Sequence, residues 1–306
     1  MEKKVYIVRD HGKLLVELLE KEGFQVVVGD GTLDDEKLSD CEVLYPGGKV
    51  TIDDEALRKA PELKLVIKSG TGIDRIDVEA CKARGVAVFN TPGVNSVSVA
   101  EHTIGLMLAV AKKIYPISLH FRNSEPDFWC SKRFVAGELA GKTLGIVGLG
   151  DIGRRVAKIA NAFDMQVIGY SRHKPADLPA YIEFFSTLED VLTRADYVTL
   201  HIPGGGANSH LIGLDELKMM KSTAVIINTA RGSVIDEEAL IEALSTGIIA
   251  GAGLDVFTQE PLTEQNPLLA MENVVATPHC AGNTSDALIR TQVQCAQKAI
   301  EFYREY

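Results

Sequence analysis

The 306-residue chain is short of several things, and each shortage closes off a class of function. Its five cysteines, Cys41, Cys81, Cys130, Cys280 and Cys295, are an odd, scattered set with no CxxC pair. Neither a disulfide framework nor a structural zinc site is expected, only reduced and mostly buried thiols. The longest apolar run, Ile104 to Ala111, falls far below the ~20 residues that cross a bilayer. Met1-Glu2-Lys3-Lys4 leads into a short strand and then charge, without the apolar core of a secretory leader, so a cytoplasmic location is expected. Basic residues are outnumbered 42 to 32, and the net charge of −10 argues against nucleic-acid or anionic-membrane partners. An anionic ligand must therefore be held by local groups. His201 ends a strand with no nearby motif partner, and His11, His102, His120, His173 and His210 lack ligand spacing with carboxylates or thiols. No metal is expected.

What is present is an α/β pattern. In KTLGIVGLGDIGRRVAKIANAFDMQVIGYSRHK, Lys142 to Lys174, an apolar run enters Gly148-Leu149-Gly150-Asp151-Ile152-Gly153, and Val156, Ile159, Ala160 and Phe163 recur at helical spacing. Gly148 permits a tight turn, Gly150 lets the backbone approach a pyrophosphate, and Gly153 allows close helix packing. The helix N-terminus offers N–H groups to the phosphates. The stretch predicts a Rossmann dinucleotide-binding unit.

From Lys4 to Asn90 strands at Val5–Val8, Gln25–Val28, Val43–Tyr45, Leu65–Lys68 and Val86–Phe89 alternate with charged helical stretches but carry no glycine fingerprint. This predicts a separate flavodoxin-like α/β domain. Ser69-Gly70-Thr71-Gly72 at a strand end could offer amides to a carboxylate, or be an ordinary turn. A helix over 96–113 is expected to cross between domains. The segment 116–141, with Trp129, Arg133 and Phe134, reads mostly as loop. From Leu144 onward six strands and their crossovers follow, and the amphipathic helix from Thr284 to Tyr306 is expected to return to the first domain, leaving a cleft between the two. The expected boundaries are 1–97 with 285–306 for the substrate-binding domain and 98–284 for the dinucleotide-binding domain.

Three polar motifs fall at or just after successive strand ends: Asn228 to Gly232, Asp255 to Pro261, and Thr277-Pro278-His279. Alone, a His after Pro or an Arg before Gly is more often a plain surface residue. Together on one sheet edge beside a bound dinucleotide they point to hydride transfer at a carbon bearing oxygen. His279 is the candidate proton donor, Glu260 its orienting carboxylate, and Arg231 the cation for a substrate carboxylate.

At this point the chain resembles the D-isomer specific 2-hydroxyacid dehydrogenase family over nearly its whole length. The motifs are Gly70 to Asp74, Asn90 to Gly93, Val99 to Thr103, Gly148 to Gly153, Ala230 to Gly232, Asp255 to Phe257, Glu260-Pro261 and Thr277 to His279. The resemblance implies that Arg231, Glu260 and His279 are the catalytic trio, and that Ser69, Gly70, Thr71 and Gly72 bind substrate with Arg231 and His279. It implies cofactor contacts at Thr71, Thr103, Gly148, Gly150, Asp151, Ile152, Gly153, Thr229, Ala230, Asp255 and Gly282, and a homodimer formed through the dinucleotide-binding domain. The expected activity is reversible reduction of a small 2-keto acid of the glyoxylate or hydroxypyruvate type to a D-2-hydroxy acid. The alternatives are a D-3-phosphoglycerate dehydrogenase of serine biosynthesis and, from another class, a nucleotide-sensing corepressor-like binding protein.

Three departures refine this. Where an acid usually receives the ribose hydroxyls, Ser171 is followed by Arg172, His173 and Lys174, which would attract a 2′-phosphate. NADP(H) is therefore favoured, with NAD(H) possible. The phosphoglycerate branch usually carries Arg just before Lys49-Val50-Thr51, but here Tyr45-Pro46-Gly47-Gly48 stands there, with Lys49 and Lys68 as possible substitutes. Pro203-Gly204-Gly205-Gly206 replaces the usual Pro-Leu-Thr. The chain stops soon after its final helix, so the regulatory domain of longer phosphoglycerate dehydrogenases is expected to be absent.

Overall fold

The computed structural model describes residues 3–9, 12–48, 50–123 and 134–305; expectations resting on His11, Lys49, Trp129, Cys130 and Arg133 lie outside the described residues. The chain divides into two compact units, 1–95 with 283–306, and 96–282.

The first unit runs β1 (Lys3–Ile7), α1 (Lys13–Lys21), β2 (Phe24–Val28), α2 (Asp35–Ser39), β3 (Val43–Tyr45), α3 (Asp54–Arg58), β4 (Leu65–Lys68), α4 (Val78–Ala83) and β5 (Ala87–Asn90). Its five strands are parallel in the order β2-β1-β3-β4-β5, the flavodoxin-like arrangement. Alternation along β4 covers both faces. Leu65 and Ile67 pack with Leu15 and Leu19 of α1, and Val66 packs with Leu38, Leu57 and Cys81 of α2, α3 and α4.

The second unit begins with α5 (Ser96–Ala111) and α6 (Ile114–Arg122). It continues with β6 (Thr143–Val147), α7 (Asp151–Ala162), β7 (Gln166–Tyr170), β8 (Ile182–Phe185), α8 (Leu188–Arg194) and β9 (Tyr197–Leu200), then α9 (Leu214–Met219), β10 (Val225–Asn228), α10 (Glu237–Ser245), β11 (Gly251–Leu254) and β12 (Val274–Ala276). Its strands are parallel in the order β12-β11-β10-β9-β6-β7-β8. This is a Rossmann sheet with one further strand, and its order reverses between β6 and β9. α5 and α7 cover one face; α8, α9 and α10 cover the other.

The last helix, α11 (Ser285–Glu305), belongs to the first unit. Cys295, Ala296 and Ala299 enter the core beside α1, and the Tyr45 hydroxyl donates to the Cys295 carbonyl at 3.0 Å. Burial pushes the Cys295 and Cys41 thiols up to about 12, so both behave as small apolar side chains. No single helix among the described residues is long and apolar enough to cross a membrane.

Three local expectations need correction. The helix over 96–113 does not cross between units; α5 lies wholly in the second and packs against α7, β10, β11 and β12. The sheet has seven strands rather than six, because Ile182-Glu183-Phe184-Phe185 is a four-residue edge strand with only one fully buried side chain. The stretch after Pro116 is not mainly loop at its start. α6 contains Pro116 in its first turn, where a missing N–H removes no intrahelical bond.

The fingerprint is bound by space. Gly148 has φ 102 and its missing Cβ would overlap the His201 carbonyl oxygen, while a Cβ on Gly153 would overlap the Gly148 carbonyl. Gly153→Ala should cost about 1–3 kcal/mol through forced backbone separation. Denaturant titration together with dinucleotide titration should show both lower stability and weaker binding; a variant equal to the parent in both would contradict this packing.

Candidate active site

The site grows from the carboxyl ends of β10, β11 and β12. After β10 the buried Asn228 shapes the turn: its Oδ1 accepts from Ala230 N at 3.0 Å and its Nδ2 donates to the Arg231 carbonyl at 3.0 Å. The Arg231 Nη1 donates to the Ala230 carbonyl at 2.7 Å. A Cβ on Gly232 would overlap the Phe257 backbone, so the turns after β10 and β11 touch. A Cβ on Gly204 would lie 2.8 Å from Arg231 Cγ and 2.9 Å from its Cβ. In this structure the Arg231 side chain therefore packs directly over the Gly204 backbone.

After β11 comes Asp255, fully buried. Its Oδ1 accepts from the Thr277 hydroxyl at 2.6 Å and from Cys280 N at 2.9 Å, and its Oδ2 accepts from Ala281 N at 2.8 Å. Its carbonyl accepts from His279 N at 2.7 Å. The segment from Thr277 to Ala281 is wrapped around one residue, and His279 is held at φ 52, a backbone region that is costly for any side chain but Gly. Gly282 follows directly.

His279 Nδ1 lies 2.6 Å from Glu260 Oε2, and Glu260 Oε1 accepts from Phe257 N at 3.1 Å. An ionised carboxylate only accepts, so Nδ1 carries the proton in this pair. Nε2 is then the ring atom available for a substrate, and the half-exposed imidazole can present it. Glu260 and His279 are therefore brought together directly; Arg231 joins them on the same sheet edge.

Several residues read differently in three dimensions. His102, set aside as a metal ligand for want of ligand spacing, has its Nε2 2.9 Å from Thr277 Oγ1 and 3.6 Å from Asp255 Oδ1. Ligand-type atoms of His102, Asp255 and Cys280 lie within 4.8 Å of one another. A cation there would compete with the three donors already on Asp255. Burial first, and then the Asp255 charge, push the Cys280 thiol up. Thr103, expected as a cofactor contact, is buried; its hydroxyl donates to the Val99 carbonyl at 2.7 Å and lies 2.8 Å from Thr229 Oγ1, which links α5 to the turn after β10. His201, whose carbonyl closes over Gly148, has its Nε2 3.0 Å from Thr199 Oγ1 and a buried Nδ1 without a hydrogen-bond partner. Burial pushes this imidazole down to about 3. Asn228 stands first in one of the motifs read from the sequence, but its role, anchoring the turn under Arg231, is a geometry that the residue type alone does not carry.

The dinucleotide turn has the room it needs. At Gly150, the N-cap of α7, a Cβ would meet nothing within 4 Å. Asp151 opens the helix exposed, and Ile152 packs into the core under it. A pyrophosphate fits against these amides. After β7, Ser171 Oγ donates to the His173 carbonyl at 2.7 Å, Arg172 Nη2 donates to Asn208 Oδ1 at 2.8 Å, and Lys174 Nζ stands 5.7 Å from the Phe184 ring. In the first unit, at the end of β4, Gly70 N donates to Thr91 Oγ1 at 2.7 Å and the Thr71 carbonyl accepts from Asn90 Nδ2 at 2.8 Å. That ties down the turn from Ser69 to Gly72.

The sequence profile described as D-isomer specific 2-hydroxyacid dehydrogenase, NAD binding domain, matches residues 104–281. This chain belongs to that family. A D-3-phosphoglycerate dehydrogenase of Methanocaldococcus jannaschii is 43% identical over 279 residues, which cover 89% of this chain and 52% of the relative. A glyoxylate reductase of Aeropyrum pernix is 39% identical over 271 residues, covering 87% of this chain and 81% of the relative. This D-2-hydroxyacid dehydrogenase family member thus spans about half the length of the first and most of the second. Among solved structures, the NADPH-dependent glyoxylate/hydroxypyruvate reductase of Sinorhizobium meliloti, in complex with NADP and malonate, superposes with a TM-score of 0.86 at 28% identity, covering 99% of this chain and 94% of that one.

Asp255→Ala should leave three donors without their acceptor, at a cost of about 3 kcal/mol or more. Hydrogen exchange at the Cys280 and Ala281 amides should accelerate and turnover should fall. Unchanged protection at both amides would contradict the bracing role.

Proposed function

We propose that this family member is an NADP(H)-preferring oxidoreductase that reversibly reduces a small, unphosphorylated 2-keto acid to a D-2-hydroxy acid. The reading is carried by the 2.6 Å pair of His279 and Glu260, set on the same sheet edge as a glycine turn with room for a pyrophosphate. A bound nicotinamide dinucleotide supplies the hydride.

Protein groups do the rest. Arg231 offers a planar, permanently charged fork to the substrate carboxylate and polarises the keto oxygen. In the reduction direction His279 carries a proton on each nitrogen; Nε2 gives its proton to the carbonyl oxygen as the alkoxide forms, and Nδ1–H stays on Glu260. The carboxylate stabilises the imidazolium before transfer and keeps the ring aimed afterwards. Oxidation of the hydroxy acid reverses each step.

Two observations support the unphosphorylated substrate class. No Arg stands in Tyr45-Pro46-Gly47-Gly48, and the Lys68 ammonium donates to the Ser69 carbonyl at 3.0 Å. Cofactor preference rests on Ser171-Arg172 and the absence of an acid there. The proposed homodimer draws support from α6, where Ile114, Tyr115, Leu119 and Phe121 are exposed, with Val135 exposed nearby in sequence.

Initial rates with glyoxylate, hydroxypyruvate, pyruvate and 3-phosphoglycerate, each with both cofactors, test the assignment. His279→Ala should lower kcat about 10²–10⁴-fold on the best substrate. Near-parental turnover in that variant would overturn the proton-donor role, and oxidation of 3-phosphoglycerate alone would overturn the substrate class. Sedimentation should find a dimer that Phe121→Glu shifts toward monomer.

A further inference from the structure

The sheet order brings together two segments far apart in sequence. β6, which carries the fingerprint, lies between β7 and β9. Arg172 follows β7, and Asn208 lies in the turn after β9. The bond of 2.8 Å from Arg172 Nη2 to Asn208 Oδ1 therefore bridges the two strands on either side of the fingerprint strand. Open α/β sheets bind their ligands at this switch point.

We propose that Asn208 is a positioning residue that fixes the Arg172 guanidinium as the receptor for the adenosine 2′-phosphate of the dinucleotide. The inference rests on the NADP(H) reading above and adds a residue that its sequence argument did not contain.

The first support is the contrast in exposure. Arg172 is exposed, whereas Asn208 is 6% exposed. A basic side chain that merely solvates a loop is not expected on a buried amide. The second is that the amide has only one workable orientation. Asn208 Nδ2 donates to the Pro203 carbonyl at 2.9 Å, which can only accept, and Arg172 can only donate, so Oδ1 must face the guanidinium. The third is the backbone beneath it. Gly205 and Gly206 have φ 74 and 53, and Asn208 N donates to the Gly205 carbonyl at 3.1 Å. Two consecutive left-handed residues bring Asn208 inward at low cost only because they are glycines. Gly205 and Gly206, within the run that departs from the family pattern, thereby provide the seat for Asn208.

The loop after β7 is clamped at its far side too. Arg154 Nη1 and Nη2 donate to Asp177 at 2.7 and 2.8 Å, and Arg154 Nε donates to the Leu149 carbonyl at 2.9 Å. With Asn208 occupying one N–H, the other guanidinium donors remain for a phosphate, and a pre-ordered Arg loses less freedom when the phosphate arrives. Lys174 is directed to the Phe184 ring instead.

The test compares parent, Asn208→Ala, Asn208→Asp and Arg172→Ala in full kinetics with NADPH and NADH, and in calorimetric binding of 2′,5′-ADP and 5′-AMP. Asn208→Ala should raise KM for NADPH about tenfold, with kcat held within about twofold and KM for NADH little changed. Asn208→Asp, isosteric but anionic, should weaken 2′,5′-ADP further, because it neutralises Arg172 and repels the phosphate. Binding of 5′-AMP by each variant reports that the fold is intact. A parent that uses NADH as well as NADPH, with Arg172→Ala unchanged on 2′,5′-ADP, overturns the cofactor reading and this inference together. A parent and Arg172→Ala that behave as expected, beside Asn208 variants with parental KM ratios, overturn the positioning role alone.

Discussion

The candidate chemistry depends on one buried carboxylate. Asp255 holds Thr277, Cys280 and Ala281 through its side chain and His279 through its carbonyl, so the loop after β12 is shaped around the end of β11. Without that constraint His279 would not be kept in the left-handed backbone region, and its ring would not be delivered to Glu260 at 2.6 Å. A buried, ionised group is tolerated in an apolar core only when its acceptor sites are filled, which is why Asp255 is surrounded by donors. The same satisfaction excludes easy use of the carboxylate for anything else.

The parallel sheet supplies the second level of organisation. Strands covered on both faces by helices leave their side chains to packing, so the polar groups that remain for function gather at strand ends. Here Asn228, Asp255 and Thr277 lie at or just past three adjacent strand ends, with Thr103 and His102 of α5 supporting them from one face. A turn anchored by a buried amide recurs twice, at Asn228 under Arg231 and at Asn208 under Arg172. In the first the amide bonds the backbone of the part-buried Arg231, and in the second it bonds the guanidinium of the exposed Arg172.

Much of the fold is legible in the pattern of residues. The alternation Leu65-Val66-Ile67 separates two cores as period-2 packing demands, and the boundaries of α1, β3 and β4 follow from apolar runs and their flanks. The failures have local causes. The segment from Pro116 reads mostly as loop although its start continues α6, where the first turn tolerates the proline, and Ile182–Phe185 is an edge strand whose single buried residue gives almost no periodic signal. The long helix α5 reads as a connector because of its length and its place between two α/β patterns, whereas its many buried residues pack within one unit.

By itself the sequence determined the parallel α/β class, the dinucleotide turn, and the candidate trio Arg231, Glu260 and His279, because each depends on rules that act within a strand, a turn or a short motif. Tertiary structure alone decided that His102 meets Thr277, that Asp255 braces the histidine loop, and that Asn208 holds Arg172. These partners are 175, 26 and 36 positions apart along the chain. Strand order, set by how the whole sheet packs, determines which distant loops share an edge, and no local pattern carries that information.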